Sequence, residues 1–173
     1  MYRLRELERK DINIINRWRR DSELIKLLGA PYRFINQEVD QKWFDDYMSR
    51  RNTSVRCAIV EENNDEILGL VSLVSIDYMN QLAELHIMIG DNANQGKGIG
   101  SFAVTSILKH AFYDLNLHRI ELSVLTSNQR AINLYEKVGF VREGVKRKVK
   151  YKNGEFIDMY IYALLKEDFC LKG

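Results

Sequence analysis

Polar and apolar residues alternate through Tyr2-Arg3-Leu4-Arg5-Glu6-Leu7, which predicts an opening strand. The period then lengthens. Asp11 stands where an N-cap would, ahead of a helix carrying Ile14, Ile15 and Trp18 on one side. A short helical piece runs from Ser22 to Leu28 and stops at Gly29. After a loop to Ile35, Asn36 is placed to cap a helix that spaces Val39, Trp43 and Tyr47 four apart. Alternation returns in Val55–Val60 and Ile67–Ile76, around the polar turn Glu61–Glu66. Asp77-Tyr78-Met79-Asn80 leads tightly into the strand Leu82–Ile89.

The second half repeats the contrast. Ser101–Leu115 carries Phe102, Ala103, Ile107 and Ala111 near helical spacing, with Ile99 just before it. Arg119–Leu125 is a strand, and Asn128 then caps a helix that runs through Val138 and ends at Gly139. Phe140–Lys152 and Phe156–Leu165 form a hairpin about Asn153-Gly154, the strongest two-residue turn signal in the chain. The order β-α-α-β-β-β-α-β-α-β-β predicts a mixed α/β sheet with helices on both faces.

Between the fourth strand and its helix lies Gln95-Gly96-Lys97-Gly98-Ile99-Gly100. Glycines let a backbone adopt positive φ and approach a ligand closely. A helix N-terminus directly behind them adds unpaired N–H groups and a positive dipole end. The combination suits a phosphorylated ligand, held by Gln95 to Ser101. The P-loop pattern fails, because Gly98 follows the Lys of Gly96-Lys97. The Rossmann fingerprint also fails, since Gly96, Gly98 and Gly100 are spaced two apart.

At 173 residues the chain suits one domain, and a single proline, Pro31, leaves no linker to divide it. A net charge of +2 gives no electrostatic argument for nucleic acid. No apolar run approaches the ~20 residues of a membrane span, and Met1-Tyr2-Arg3-Leu4-Arg5 has no signal-peptide core. Cys57 and Cys170 lack metal-site spacing, so a reducing, cytoplasmic setting without a bound metal is expected.

This order, with the glycine loop after the fourth strand, resembles the GCN5-related N-acetyltransferase (GNAT) superfamily. A second block is similar to that family's N-x-x-[AS]-x-x-x-Y-x-x-x-G-F segment, running from Asn128 to Phe140 with Ala131, Tyr135 and Gly139 in place. Leu117-His118-Arg119-Ile120 and Asn153-Gly154-Glu155 are similar to the subgroup of ribosomal-protein N-terminal, spermidine and amino-sugar acetyltransferases. The resemblance spans essentially the whole chain, residues 1–173, as a single domain. It implies a largely antiparallel seven-stranded sheet splayed between its fourth and fifth strands, with acetyl-CoA as cosubstrate. The cofactor would lie along Ile87, Met88 and Ile89, opposite Leu125, with its diphosphate on the glycine loop and Asn128 touching it.

Amide formation from a thioester needs a neutral amine, a stabilised oxyanion and a protonated leaving thiolate. In this motif Tyr135 is the expected acid, with an ordinary phenol pKa near 10. As a bare helical residue it reads first as a core tyrosine, since Ala131, Leu134, Tyr135 and Val138 share a face; the motif is what turns the reading to catalysis. Glu84 is the candidate base or acceptor contact. It shares a strand face with His86 and Met88, and a carboxylate beside a cleft is expected to have a raised pKa. His86 is its rival, and simple ion pairing is the plainer account.

A small-molecule amine is the expected acceptor, with a pocket sought near Tyr32 and Phe34, although these aromatics read equally well as core. The basic run Arg142–Lys152, with Lys146, Lys148, Lys150 and Lys152 alternating outward, favours a nucleotide-linked amino sugar or is a solvated face. Asn16-Arg17-Trp18-Arg19 and Lys42-Trp43-Phe44 are similar to members acetylating 4-amino-sugar nucleotides. Leu27–Ile35 carries Arg33 and no carboxylate, which disfavours a polyamine unless Asp40, Asp45 or Asp46 turns inward. A protein N-terminus and a non-catalytic acyl-CoA-binding module remain alternatives, and a homodimer is open.

Overall fold

The inner strands of the sheet bury one or both of their side-chain rows, and the helices are set by where those rows need cover. The computed structural model describes residues 1–94 and 96–170; Gln95 lies outside the described residues. The strands are β1 (Tyr2–Glu6), β2 (Val55–Glu61), β3 (Ile67–Asp77), β4 (Leu82–Ile89), β5 (Arg119–Leu125), β6 (Val141–Lys152) and β7 (Glu155–Leu165). They form one sheet in the order β1-β2-β3-β4-β5-β7-β6. All neighbours are antiparallel except β4 and β5. The helices are α1 (Ile12–Arg19), α2 (Ser22–Lys26), α3 (Gln37–Ser49), α4 (Ile99–Lys109), α5 (Gln129–Val138) and α6 (Lys166–Cys170).

Two apolar clusters sandwich the sheet. Ile12, Ile15 and Trp18 of α1, Leu24 of α2 and Phe44 and Tyr47 of α3 pack on Ala58, Val60 and Ile67. On the other face Ala103, Val104, Ile107 and Leu108 of α4 and Ile132 and Tyr135 of α5 join Ile59, Val71, Leu73, Leu85 and Leu122. Burying these side chains removes apolar surface from water at ~25 cal/mol per Å², the main stabilising term.

Local signals placed most boundaries. Asn36 and Asn128 cap α3 and α5, accepting from Val39 N and Ala131 N, each at 3.1 Å. Gly139 closes α5 at φ 119°. Asn153 and Gly154, at φ 51° and 87°, make the β6–β7 turn. Asp11 departs from its expected role. It makes no side-chain cap of α1; its carboxylate takes Arg5 Nη1 and Nη2, each at 2.8 Å, and Glu8 N at 2.9 Å. α4 starts at Ile99, ahead of Ser101, because Gly98 at φ 79° turns the chain into the helix.

The basic strand departs further. β6 has register shifts between Arg142 and Gly144 and between Lys146 and Lys150, so outward alternation is lost. Lys148 stands at φ 50°, and Lys152 is buried, 7% exposed. Its Nζ donates to Ile25 O at 2.8 Å and to Ala30 O. Burial, then Lys150, pushes its pKa down.

Candidate functional site

The parallel contact between β4 and β5 covers only Leu82–Glu84 against Arg119–Glu121. Beyond Glu84 the two strands part, leaving a V with its vertex at Glu84 and its mouth at Ile89. Gly90 N donates to Leu68 O at 2.8 Å, so residues 88, 86 and 84 turn their main-chain groups toward β3. Leu85, Ile87 and Ile89 therefore turn theirs into the V. On the far side Thr126 N donates to Asp158 O, and by the same alternation Ser123 and Leu125 face the V. Ile87 and Ile89 open into the V, with Leu125 opposite. Met88 does not: its main chain is used by Leu70, and its side chain packs beside the α1–α3 cluster.

The glycine loop closes the mouth. Gly96 and Gly98 have φ 83° and 79°, and a Cβ on either would meet nothing within 4 Å. These glycines serve conformation and leave open space. Gly100 differs, because a Cβ there would meet Leu134 Cδ2 of α5 at 3.1 Å. Gly98 O accepts from Phe102 N, so the amides of Ile99, Gly100 and Ser101 lack intrahelical acceptors. Lys97 is exposed alongside. A V lined by free amides and ending at a positive helix terminus fits an extended amide-bearing arm joined to a diphosphate.

Tyr135 is 7% exposed, edge-on to Phe140 with ring centroids 5.8 Å apart. Burial pushes its phenol up to about 12, a weaker acid than the ordinary value expected. Among the described residues nothing bonds its hydroxyl. Asn128 is both cap and tether, since its Nδ2 donates to Leu27 O at 2.9 Å. That bond, with Lys152, pins residues 25–30 to the C-terminal half of the chain.

At the vertex Glu84 Oε1 lies 3.0 Å from His86 Nε2, with side chains 45% and 57% exposed. The raised pKa expected of Glu84 is overturned. His86's hydrogen bond outweighs burial, and the charges of Lys146 and Lys150 add to it, so the carboxyl falls below its usual range.

Around Tyr32 and Phe34 a cavity of about 900 Å³ opens between α1 and residues 32–39, lined also by Asn13, Arg17 and Asn36. Phe34 is 96% exposed, so it is no core residue. Asp40 does turn inward, but Arg19 and Asn16 occupy it. Asp45 pairs with Arg9. The segments similar to amino-sugar enzymes serve the fold: Trp18 is buried, Arg17 pairs with Asp91, and Trp43 stacks on Arg56. Sequence reading missed the cap at Asp21, although Asp before Ser22-Glu23 is a readable signal. It had no signal for the burial of Lys152.

Comparison with known proteins bears on this geometry. The model of the acetyltransferase (GNAT) domain family matches residues 2–141. An uncharacterized N-acetyltransferase, p20, of Bacillus licheniformis is 30% identical over 168 residues, covering 96% of this chain and 94% of its own. A spermidine N(1)-acetyltransferase of Vibrio cholerae is 34% identical over 164 residues, covering 91% of each. The crystal structure of spermidine N-acetyltransferase from Vibrio cholerae in complex with CoA and spermine superposes with a TM-score of 0.91. Its sequence identity is 27%, over 98% of both chains.

Proposed function

The chain belongs to the acetyltransferase (GNAT) family and is an acetyl-CoA-dependent N-acetyltransferase; from that premise we propose that its acceptor is a primary amine of a polyamine. The observation carrying this reading is the carboxylate of Glu84 at the vertex of the V. It is held ionised by His86, and its Oε2 takes no hydrogen bond from a described residue. An ammonium is the natural partner for such an oxygen. The polyamine acetyltransferases among the relatives support the same class over the amino-sugar nucleotide that the sequence favoured.

Acetyl-CoA supplies an acetyl group activated as a thioester. The amides of Ile99, Gly100 and Ser101, behind Gly96, Lys97 and Gly98, receive its diphosphate at the start of α4. Gln95 is assigned to the same loop from its place in the sequence. Ile87 and Ile89 offer main-chain groups to its arm, and Asn128 borders the far side. An amide N–H of β4 directed into the V stabilises negative charge developing on the acetyl oxygen. Glu84 draws in the acceptor's ammonium. Tyr135, kept protonated by burial, donates a hydrogen bond to the departing sulfur as its charge grows.

The test is release of free thiol from acetyl-CoA with spermidine, spermine, a nucleotide-linked amino sugar and a peptide N-terminus. Turnover with the polyamines is expected. Turnover confined to the amino sugar or the peptide would overturn the acceptor. Binding of acetyl-CoA with no turnover of any amine would make the chain a non-catalytic module.

A further inference from the structure

An alkylammonium, with a pKa of roughly 10, must shed a proton before its nitrogen can attack a thioester. If the diphosphate sits at the start of α4, the arm runs inward from Ile89 and the acetyl group lies deepest, toward Glu84. That distance is roughly 17 Å of extended strand. At the vertex the α1–α3 face carries Glu84, with His86 as the next residue on the same strand face, and Glu121 directly across on β5, whose carboxylate is taken by Arg119 Nε at 2.7 Å.

Their contact has a direction. His86 Nε2 lies 3.0 Å from a carboxylate oxygen, and an ionised carboxylate only accepts hydrogen bonds. Nε2 therefore carries the proton of the neutral ring, and Nδ1 keeps a free lone pair. We propose that His86 is the proton acceptor of the reaction, taking the acceptor's proton on Nδ1 while Glu84 fixes the ring through Nε2. This rests on the acetyl-transfer reading above.

The step balances. One ammonium proton passes to Nδ1, and from this exposed ring to water. The freed nitrogen forms the N–C bond, the C–S bond breaks, and the sulfur gains one proton through Tyr135. The second amine proton restores the phenol. The net products are amide, free thiol and one proton.

The surroundings suit an imidazole that changes charge. Ser72 of β3 stands directly across from His86, and Arg56 of β2 stands across from Ser72. Arg56 Nη1 reaches Ser72 Oγ at 3.5 Å, while its Nε is buried without a partner. Its guanidinium lies against the rings of Trp43 and Tyr47 of α3. Lys146 and Lys150 of β6 act on Glu84. Glu84 thus meets the ring directly, Glu121 across from Glu84 is paired with Arg119, and Arg56 approaches the ring across Ser72.

The experiment compares wild type, His86→Gln and Glu84→Gln in acceptor kcat/KM from about pH 5 to about pH 10, beside acetyl-CoA affinity. In His86→Gln, kcat/KM should fall about a hundredfold or more and the acid limb should vanish, with acetyl-CoA binding unchanged. Glu84→Gln should keep an acid limb, because the ring that takes the proton is still in place. Ring nitrogen resonances of wild type should show the Nε2–H tautomer at high pH. Wild-type rate and limb in His86→Gln would overturn the proposal. So would the Nδ1–H tautomer, or an acid limb lost only in Glu84→Gln. Wild type that binds acetyl-CoA yet acetylates no amine would sink the acceptor reading and this inference together.

Discussion

Leu134 Cδ2 stands 3.1 Å from where a Cβ on Gly100 would lie, so the first turn of α4 and the middle of α5 touch at a residue with no side chain. Tyr135 is the next residue along α5, so the glycine loop and the expected acid are joined through neighbouring residues.

Gly98 and Gly100 should therefore fail differently. Gly100→Val pushes a branched side chain into Leu134 and should cost about 1–3 kcal/mol, read by urea unfolding. Gly98→Val meets no protein atom but forces a β-branched residue to φ 79°, at about 1–3 kcal/mol. It also fills the open space of the loop, so the Kd for acetyl-CoA should rise. Unchanged binding in Gly98→Val would remove the loop from the cofactor site.

Tyr135→Phe should lower turnover at least about tenfold while leaving acetyl-CoA affinity nearly unchanged. Stability should hold, because the lost hydroxyl takes no bond from a described residue. Steady-state rates beside calorimetric binding of CoA check both halves. Equal turnover would strip Tyr135 of its role as donor.

Lys152→Met should loosen the segment that Lys152 and Asn128 jointly hold. Two carbonyls lose their donor, at about 1–3 kcal/mol by urea unfolding. The KM for the acceptor should rise with the Kd for acetyl-CoA unchanged. Equal shifts in both would place the effect in the whole sheet and not in residues 25–30.

Asp65 gives a pH prediction. Lys10 and Arg5 hold its carboxyl down at about 2, and Arg3 pairs with it as well. A folded-state pKa below the unfolded value means that the unfolded chain binds more protons as pH falls. Its stabilisation is thus complete above about pH 4 and is lost toward about pH 2. Asn tolerates the φ of 57° found here, so Asp65→Asn isolates the charge. Unfolding midpoints of the two proteins should differ at neutral pH and converge only as pH falls to about 2. A gap independent of pH would exclude this origin.

What the linear chain determined by itself was local. Asn36, Asn128, Gly139 and Asn153-Gly154 act within a few residues of themselves, through a cap or a positive φ, so their effect is visible in the letters. The alternation of β4 likewise put Glu84 and His86 on one face. The glycine spacing after β4 and the block Asn128–Phe140 carried the resemblance to the family whose model matches residues 2–141.

Tertiary structure decided what depends on distant partners. Pairing of Gly90 with Leu68 chose which of Ile87, Met88 and Ile89 open into the V. Bulges in β6 turned Lys152 inward to carbonyls more than a hundred residues away. Arg5 took Asp11 from its expected cap, and Arg19 occupied the inward-turned Asp40. Lysines of another strand helped depress the Glu84 carboxyl that its sequence context suggested would be raised. Charge and burial are properties of a place in space, and chain order assigns that place only once the sheet has closed.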